Sequence, residues 1–193
     1  MLRLSELIPS FVAAVASGEV ELYNEFSLQH ELGIFLRGEH PDLKVQFERN
    51  VNFFFPDRTQ FTKREIDITG FSAINKPAYA IELKYPRNGQ YPEQMFSFCK
   101  DIAFAEELAA AGFPQTAFLV FAEDHLFYRG PTDGIYGFFR GGKALHGDVR
   151  KPTGKKDDEV SIQGHYEIEW KVVSGALKYS VVLIENDSTR RAE

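Results

Sequence analysis

The sequence predicts an α/β fold, a mixed central β-sheet flanked by helices in the order α-α-β-β-β-α-β, with β hairpins added at the C-terminal end. Three observations lead there. Apolar residues recur at helical spacing twice before residue 40 and again between 92 and 111. Short alternating segments fill the interval, and an apolar run from Thr116 to Phe121 follows the third helix. From His125 onward the chain changes to short apolar pieces divided by glycines. A period near 3.6 marks one face of a helix and a period of 2 one face of a strand. Helical and extended segments in succession imply a sheet covered by helices.

The first helix spans about 2 to 16 and stops near Gly18, a residue suited to the left-handed turn that ends helices. The second spans about 21 to 38; within it Asn24 to Arg37 places Leu28, Leu32, Phe35 and Leu36 on one broad face, with Glu25 and Glu31 at its margins. A β meander follows at about 43 to 55, 64 to 72 and 78 to 85. The third helix, 92 to 111, carries Met95, Phe96, Phe98, Ile102, Ala105, Leu108 and Ala109 near helical spacing, with Pro92 in its first turn and Gly112 at its end. Thr116 to Phe121 is a buried strand beside the meander. The pieces 126 to 128, 135 to 139, 166 to 173 and 178 to 184 are expected as strands of added hairpins. The loop from Gly141 to Glu159 has five lysines or arginines after Gly142 and little apolar content, and is expected to be a mobile, substrate-facing flap. Residues 1 to 185 are expected to form one domain and 186 to 193 a frayed tail.

Composition narrows the function. A chain of 193 residues with 44% hydrophobic content can bury a sizeable core, and its 18 phenylalanines and 8 tyrosines make that core aromatic. The lone Cys99, on the apolar side of the third helix, is expected as a buried thiol in a reducing compartment. The run Phe11 to Ala16 is short and follows Glu6 and Pro9, so it makes a poor secretory signal and cannot span a bilayer. The expected location is cytoplasmic, with no membrane partner. The net charge of −6 argues against a general nucleic-acid coat protein. One stretch is locally basic: 129 to 156 carries Arg129, Arg140, Lys143, Arg150, Lys151, Lys155 and Lys156 against Asp133 and Asp148, a net +5. The five histidines show no paired metal-ligand spacing, and neither a phosphate-binding Gly-rich loop ending in Lys-Ser or Lys-Thr nor a Gly-x-Ser-x-Gly elbow is present.

The chemistry concentrates in two adjoining strand-like segments, Arg64 to Gly70 and Ala78 to Tyr85. Alternation along the second turns Glu82 and Lys84 to one face and Leu83 to the other. With Asp67 on the neighbouring strand, two carboxylates and an ammonium group converge. Two carboxylates at one point repel unless a cation compensates them, and a divalent ion does so. Lys84 then stands where it positions or activates a water. A second Glu-x-Lys, Glu169-Trp170-Lys171, follows Asp157 and Asp158 at an acceptable distance, but those aspartates belong to the charged run Lys155 to Glu159 and no helix comes after it. Context therefore favours the first.

The Asp67…Glu82-x-Lys84 constellation, followed by a helix, resembles the PD-(D/E)XK nuclease superfamily, the restriction-endonuclease-like phosphodiesterases. The resemblance covers roughly residues 20 to 124. It implies a restriction-endonuclease-like core and a hydrolase that cuts phosphodiester bonds of DNA, with Asp67, Glu82 and the Leu83 carbonyl around Mg²⁺ or, as a substitute, Mn²⁺. It also implies a glutamate from the helix before the sheet as a metal or water ligand, for which Glu31 is preferred narrowly over Glu25, and polar help from the helix after it. Gln94-Met95-Phe96-Ser97-Phe98 is similar to the Gln-x-x-x-Tyr element of exonuclease-like members, with Phe98 in place of the tyrosine. Ile66 stands where the motif's proline is usual. The partner expected is DNA. A non-catalytic module of the same fold, a homodimer, and an acidic protein partner bound through 129 to 156 are left open.

Overall fold

Leu4, Leu7, Ile8, Phe11, Val12 and Val15 make one buried stripe, and the helix they define, α1, runs Leu4–Ser17. Gly18 ends it at φ 80, a left-handed position that costs glycine little. The computed structural model describes residues 3–58, 60–87, 89–154 and 158–186. Helix α2 is Glu25–Glu39, shorter at its start than the periodicity suggests. Asn24 sets that start: its side chain accepts from the Ser27 N–H at 2.8 Å while the Ser27 hydroxyl accepts from the Asn24 N–H at 3.0 Å.

Strand β1, Lys44–Asn50, pairs antiparallel with β2, Glu65–Phe71, and β2 pairs antiparallel with β3, Pro77–Lys84. Helix α3, Tyr91–Ala111, carries the chain to β4, Gln115–Ala122, which lies parallel to β3. A short helix α4, Tyr136–Arg140, and a separate two-stranded sheet of β5, Leu145–Arg150, and β6, Glu159–Tyr166, come next. Strands β7, Lys171–Ser174, and β8, Leu177–Glu185, then return to the main sheet, β8 antiparallel to β4. The result is an α/β architecture whose mixed six-stranded sheet has the order β1-β2-β3-β4-β8-β7.

The strands alternate as the sequence pattern requires. Tyr79, Ile81 and Leu83 of β3 and Tyr85 just after it, with Ala117, Leu119 and Phe121 of β4, pack on α1 and α2. Phe118, Val120 and Ala122 pack on the other face with α3, α4 and the β5–β6 hairpin. Glu106 ties that hairpin to α3, accepting from the Gln163 N–H, the Gly164 N–H and the Tyr166 hydroxyl. A third cluster, with Val51, Ile66, Ala80, Phe104, Leu108 and Phe113, is capped by Phe54, Phe55 and Phe61. Gly70 is required by a close approach: a β-carbon there would collide with the Tyr79 ring, its partner across the ladder. Among the described residues, no helix is long and apolar enough to cross a membrane.

Several expected elements differ. The first meander strand stops at Asn50, whose side chain accepts from the Asn52 N–H at 3.0 Å and opens a 3₁₀ turn, Val51–Phe53. The turn splays the successive phenylalanines around its axis, where a strand would turn alternate rings to solvent. The pieces at 126 to 128 and 135 to 139 are not strands: the first falls in a 3₁₀ turn, His125–Phe127, capped by Asp124, and the second is α4. Arg140 holds the two together by donating to the carbonyls of Leu126 and Pro131. The expected flap, 141 to 159, contains β5 instead, because Leu145 and Val149 bury against the α3 face. The expected strand at 166 to 173 is broken, its central residues lying between β6 and β7. Of the expected tail, Asn186 donates to the Ala109 carbonyl at 2.8 Å, and 187–193 lie outside the described residues.

Candidate active site

β2 and β3 are paired from Phe71 and Pro77 up to Ile68 and Ile81. Beyond that pair the strands part, and side chains take over the backbone donors. The Asp67 carboxylate accepts from the Leu83 N–H at 2.7 Å, and the Glu82 carboxylate accepts from the Asp67 N–H at 3.3 Å. Each acid is thus tied to the backbone of the opposite strand, which fixes the two carboxylates beside each other. Glu82 is fully buried, 0% exposed.

Two further groups complete the cluster. Asp101 projects from α3 on the same face as Phe104, Ala105 and Leu108, and is only 2% exposed. Lys63, in the segment leading into β2, places its ammonium group 2.9 Å from Asp101 Oδ1 and 3.9 Å from Asp67 Oδ1, and donates to Glu82 Oε2. Lys84 Nζ lies 3.2 Å from Asp101 Oδ2 and 3.6 Å from Glu25 Oε1, and donates to the Leu83 carbonyl at 2.9 Å. Glu25, at the first turn of α2, also accepts from the Tyr85 N–H at 3.1 Å. Asp67, Glu82, Asp101 and Glu25 therefore surround Lys63 and Lys84, four acids about two cations. The carboxylate excess favours further positive charge.

Burial pushes the Asp67 carboxyl up to about 6, with Lys63 and Lys84 opposing the rise. Burial, and then the Asp67 charge, raise Glu82 well above the usual carboxylate range. Burial works against the charge on both lysines, but Glu82, Asp101 and Asp67 around Lys63, and Asp101, Glu25 and Asp67 around Lys84, outweigh it and hold both ammonium groups protonated.

For Asp67 this sets a sign. A carboxyl raised in the folded state stabilises the fold in its protonated form, and that contribution is lost as pH climbs from about 4 to about 6. The neutral isostere Asp67→Asn is therefore expected to match wild type near pH 4 and to exceed it at pH 7 by about 1–3 kcal/mol in metal-free buffer. Denaturant titrations at the two pH values measure the difference, and a deficit at pH 7 would contradict it.

The expected residues separate into two groups. Asp67, Glu82 and Lys84 converge, as their strand positions suggest. Glu31 does not join them: it pairs with His30 at 3.2 Å and lines a groove with Ser10, Ala14, Ser17 and Phe35 between α1 and α2. Six residues of helix turn it well away from Glu25, so Glu25 is the α2 carboxylate that reaches the cluster. Gln94 lies half-buried in the first turn of α3, and no hydrogen bond or ion pair of the cluster described above involves it. From α3 the polar group that arrives is Asp101. The other Glu-x-Lys is dispersed: Glu169 and Lys171 are exposed, and Asp158 pairs with Lys100 at 2.7 Å; Asp157 lies outside the described residues. In the basic stretch Arg140 bonds internally and Arg150 pairs with Glu159 at 2.8 Å, while Lys155 and Lys156 lie outside the described residues. Cys99 is a free, buried thiol, raised by burial.

The donors fit a hard divalent cation in kind, all of them oxygen: the Asp67 and Glu82 carboxylates, Asp101, and the Leu83 carbonyl. In arrangement the three carboxylates serve Lys63 instead, and the carbonyl serves Lys84. Among the described residues no group of three or more acids, histidines or cysteines stands ready to hold a metal ion. The cluster reaches the surface through Glu25 and Lys63, whose side chains are 46% and 29% exposed, rather than through Glu82. The groove lined by Arg58, Thr62, Lys100, Glu106 and Glu107 contains none of these acids. Comparison of the chain with family models, with curated proteins and with solved structures found no match.

Proposed function

We propose that the chain is a Mg²⁺-dependent nuclease that hydrolyses phosphodiester bonds in DNA, on a restriction-endonuclease-like core. The observation that carries this reading is the convergence of Asp67, Glu82 and Lys84 at the point where β2 and β3 part, with each acid accepting a backbone N–H. The order α-α-β-β-β-α-β around that point supports it. Asp67 and Glu82, with the Leu83 carbonyl, are the residues that would hold Mg²⁺ or Mn²⁺. The ion would neutralise charge developing on the phosphate and lower the pKa of a bound water. Lys84, held between Asp101 and Glu25, orients the attacking water and stabilises developing negative charge. Glu25 stands in place of Glu31 as the α2 carboxylate of the site, and acts by fixing Lys84 where a metal or water ligand is expected on sequence grounds.

One observation favours a second reading. Lys63 already occupies the point shared by Asp67, Glu82 and Asp101, as in a non-catalytic member whose cluster only stabilises the fold. A cleavage panel separates the two: plasmid, linear, single-stranded and branched DNA, and single-stranded RNA, each with Mg²⁺, Mn²⁺ or a chelator. The nuclease reading expects metal-dependent cutting of at least one DNA substrate. Folded protein that cuts none with either metal, yet retards DNA in a gel, would instead establish the binding module. A cut restricted to RNA would revise the substrate.

A further inference from the structure

Resting on the metal-site reading above, we infer that Lys63 is a tethered counter-cation standing in the divalent-ion position, that metal binds by displacing it, and that Asp101 is the third carboxylate uncovered by the exchange. The placement comes from three separate elements. Asp67 is on β2, Glu82 on β3 and Asp101 on α3, and one ammonium nitrogen faces an oxygen of each. A single point shared by acids of three elements is where a cation gains most from all of them. Asp101 adds an independent sign: its Oδ2 is buried and has no hydrogen-bond partner, although Lys84 Nζ lies 3.2 Å away. Lone pairs at that depth are costly to leave unbonded.

Lys63 and a metal cannot both hold these oxygens. An ammonium group sits at hydrogen-bond distance, about 2.8 Å, and Mg²⁺ at about 2.1 Å, so the two cations would be forced into each other's van der Waals space and repel. Lys63 has a way out, because it is carried on a connecting segment instead of a strand and 29% of its side chain is exposed. Lys84 has less freedom, at 16% exposure and with three acceptors around it. The segment is anchored one residue earlier, where the Thr62 N–H and hydroxyl both donate to Glu107 on α3. Displacement therefore moves the lysine side chain about a fixed base. The exchange replaces one positive charge with two among the clustered acids, which is its driving force.

Mn²⁺ is the probe, titrated calorimetrically into the full chain without nucleic acid. Lys63→Met, which keeps the stem and removes the charge, is expected to bind at least about tenfold more tightly than wild type. Adding Asp101→Asn to that variant is expected to cancel most of the gain. Wild-type affinity in Lys63→Met overturns the displacement, and an unaltered gain in the double variant overturns the role of Asp101. Should Lys63→Met not fold, wild type supplies the readout: acetylation of Lys63 with an amine-reactive reagent, followed by mass spectrometry, is expected to rise several-fold at saturating Mn²⁺. Unchanged acetylation, with Mn²⁺ bound, sinks the idea while leaving the metal site standing. If neither protein binds Mn²⁺, the metal reading fails with it. Tight binding by Lys63→Met without cleavage of any substrate removes the nuclease reading alone.

Discussion

Replacing Glu82 with glutamine is expected to leave a folded protein whose metal-dependent DNA cleavage falls at least about 10³-fold. The substitution keeps the volume of a fully buried side chain and an oxygen that accepts from the Asp67 N–H, so the fork between β2 and β3 survives. What it removes is the capacity to carry a negative charge when an ion binds. Glu82 is the most deeply buried acid of the cluster, and a neutral amide there loses much of its attraction for a divalent ion in a medium that screens poorly. Cleavage rates measured under single-turnover conditions, beside far-ultraviolet circular dichroism of the same preparations, check both halves of the expectation. Retention of activity within about tenfold would show that Glu82 holds no metal.

Lys84→Ala is expected to separate turnover from metal affinity: a rate lower by about 10²-fold or more, with Mn²⁺ still bound. The reason lies in where the nitrogen sits. It contacts Asp101, Glu25 and the Leu83 carbonyl, and no ion pair joins it to Glu82. Its removal therefore takes a cation from beside the metal ligands without taking a ligand. Calorimetry and cleavage on the same variant measure the two quantities. Loss of Mn²⁺ binding in a folded Lys84→Ala protein would contradict the positioning role.

The parts of the site that sequence could supply are those governed by local period. Alternation in β3 places Glu82 and Lys84 on one face with Ala80, and the short connection from Phe71 to Pro77 brings Asp67 opposite. The cap residues Gly18 and Gly112 mark helix ends for reasons internal to the backbone. Choosing between Glu25 and Glu31 required knowledge of how the start of α2 meets the end of β3, a contact between residues 60 apart in the chain. Asp101 left a trace, since an acid sits in the stripe that continues as Ala105 and Leu108, where a solvated residue would not be placed. Lys63 left none. It precedes β2 in an aperiodic segment, and its partners Glu82 and Asp101 lie 19 and 38 residues away. The pieces around Leu126 and Ile135 were too short for period to decide, and their conformation follows from the Asp124 cap and the Arg140 clasp.

The parting of β2 and β3 has a spectroscopic consequence. In most of the sheet an amide proton is protected by a carbonyl, whose acceptor strength does not depend on solution conditions. The amides of Asp67 and Leu83 are held by carboxylates, whose charge does. Hydrogen exchange and chemical shift at these two positions therefore register any proton or ion that settles on the acids, while the neighbouring ladder from Ile68 to Phe71 serves as an internal reference of constant protection.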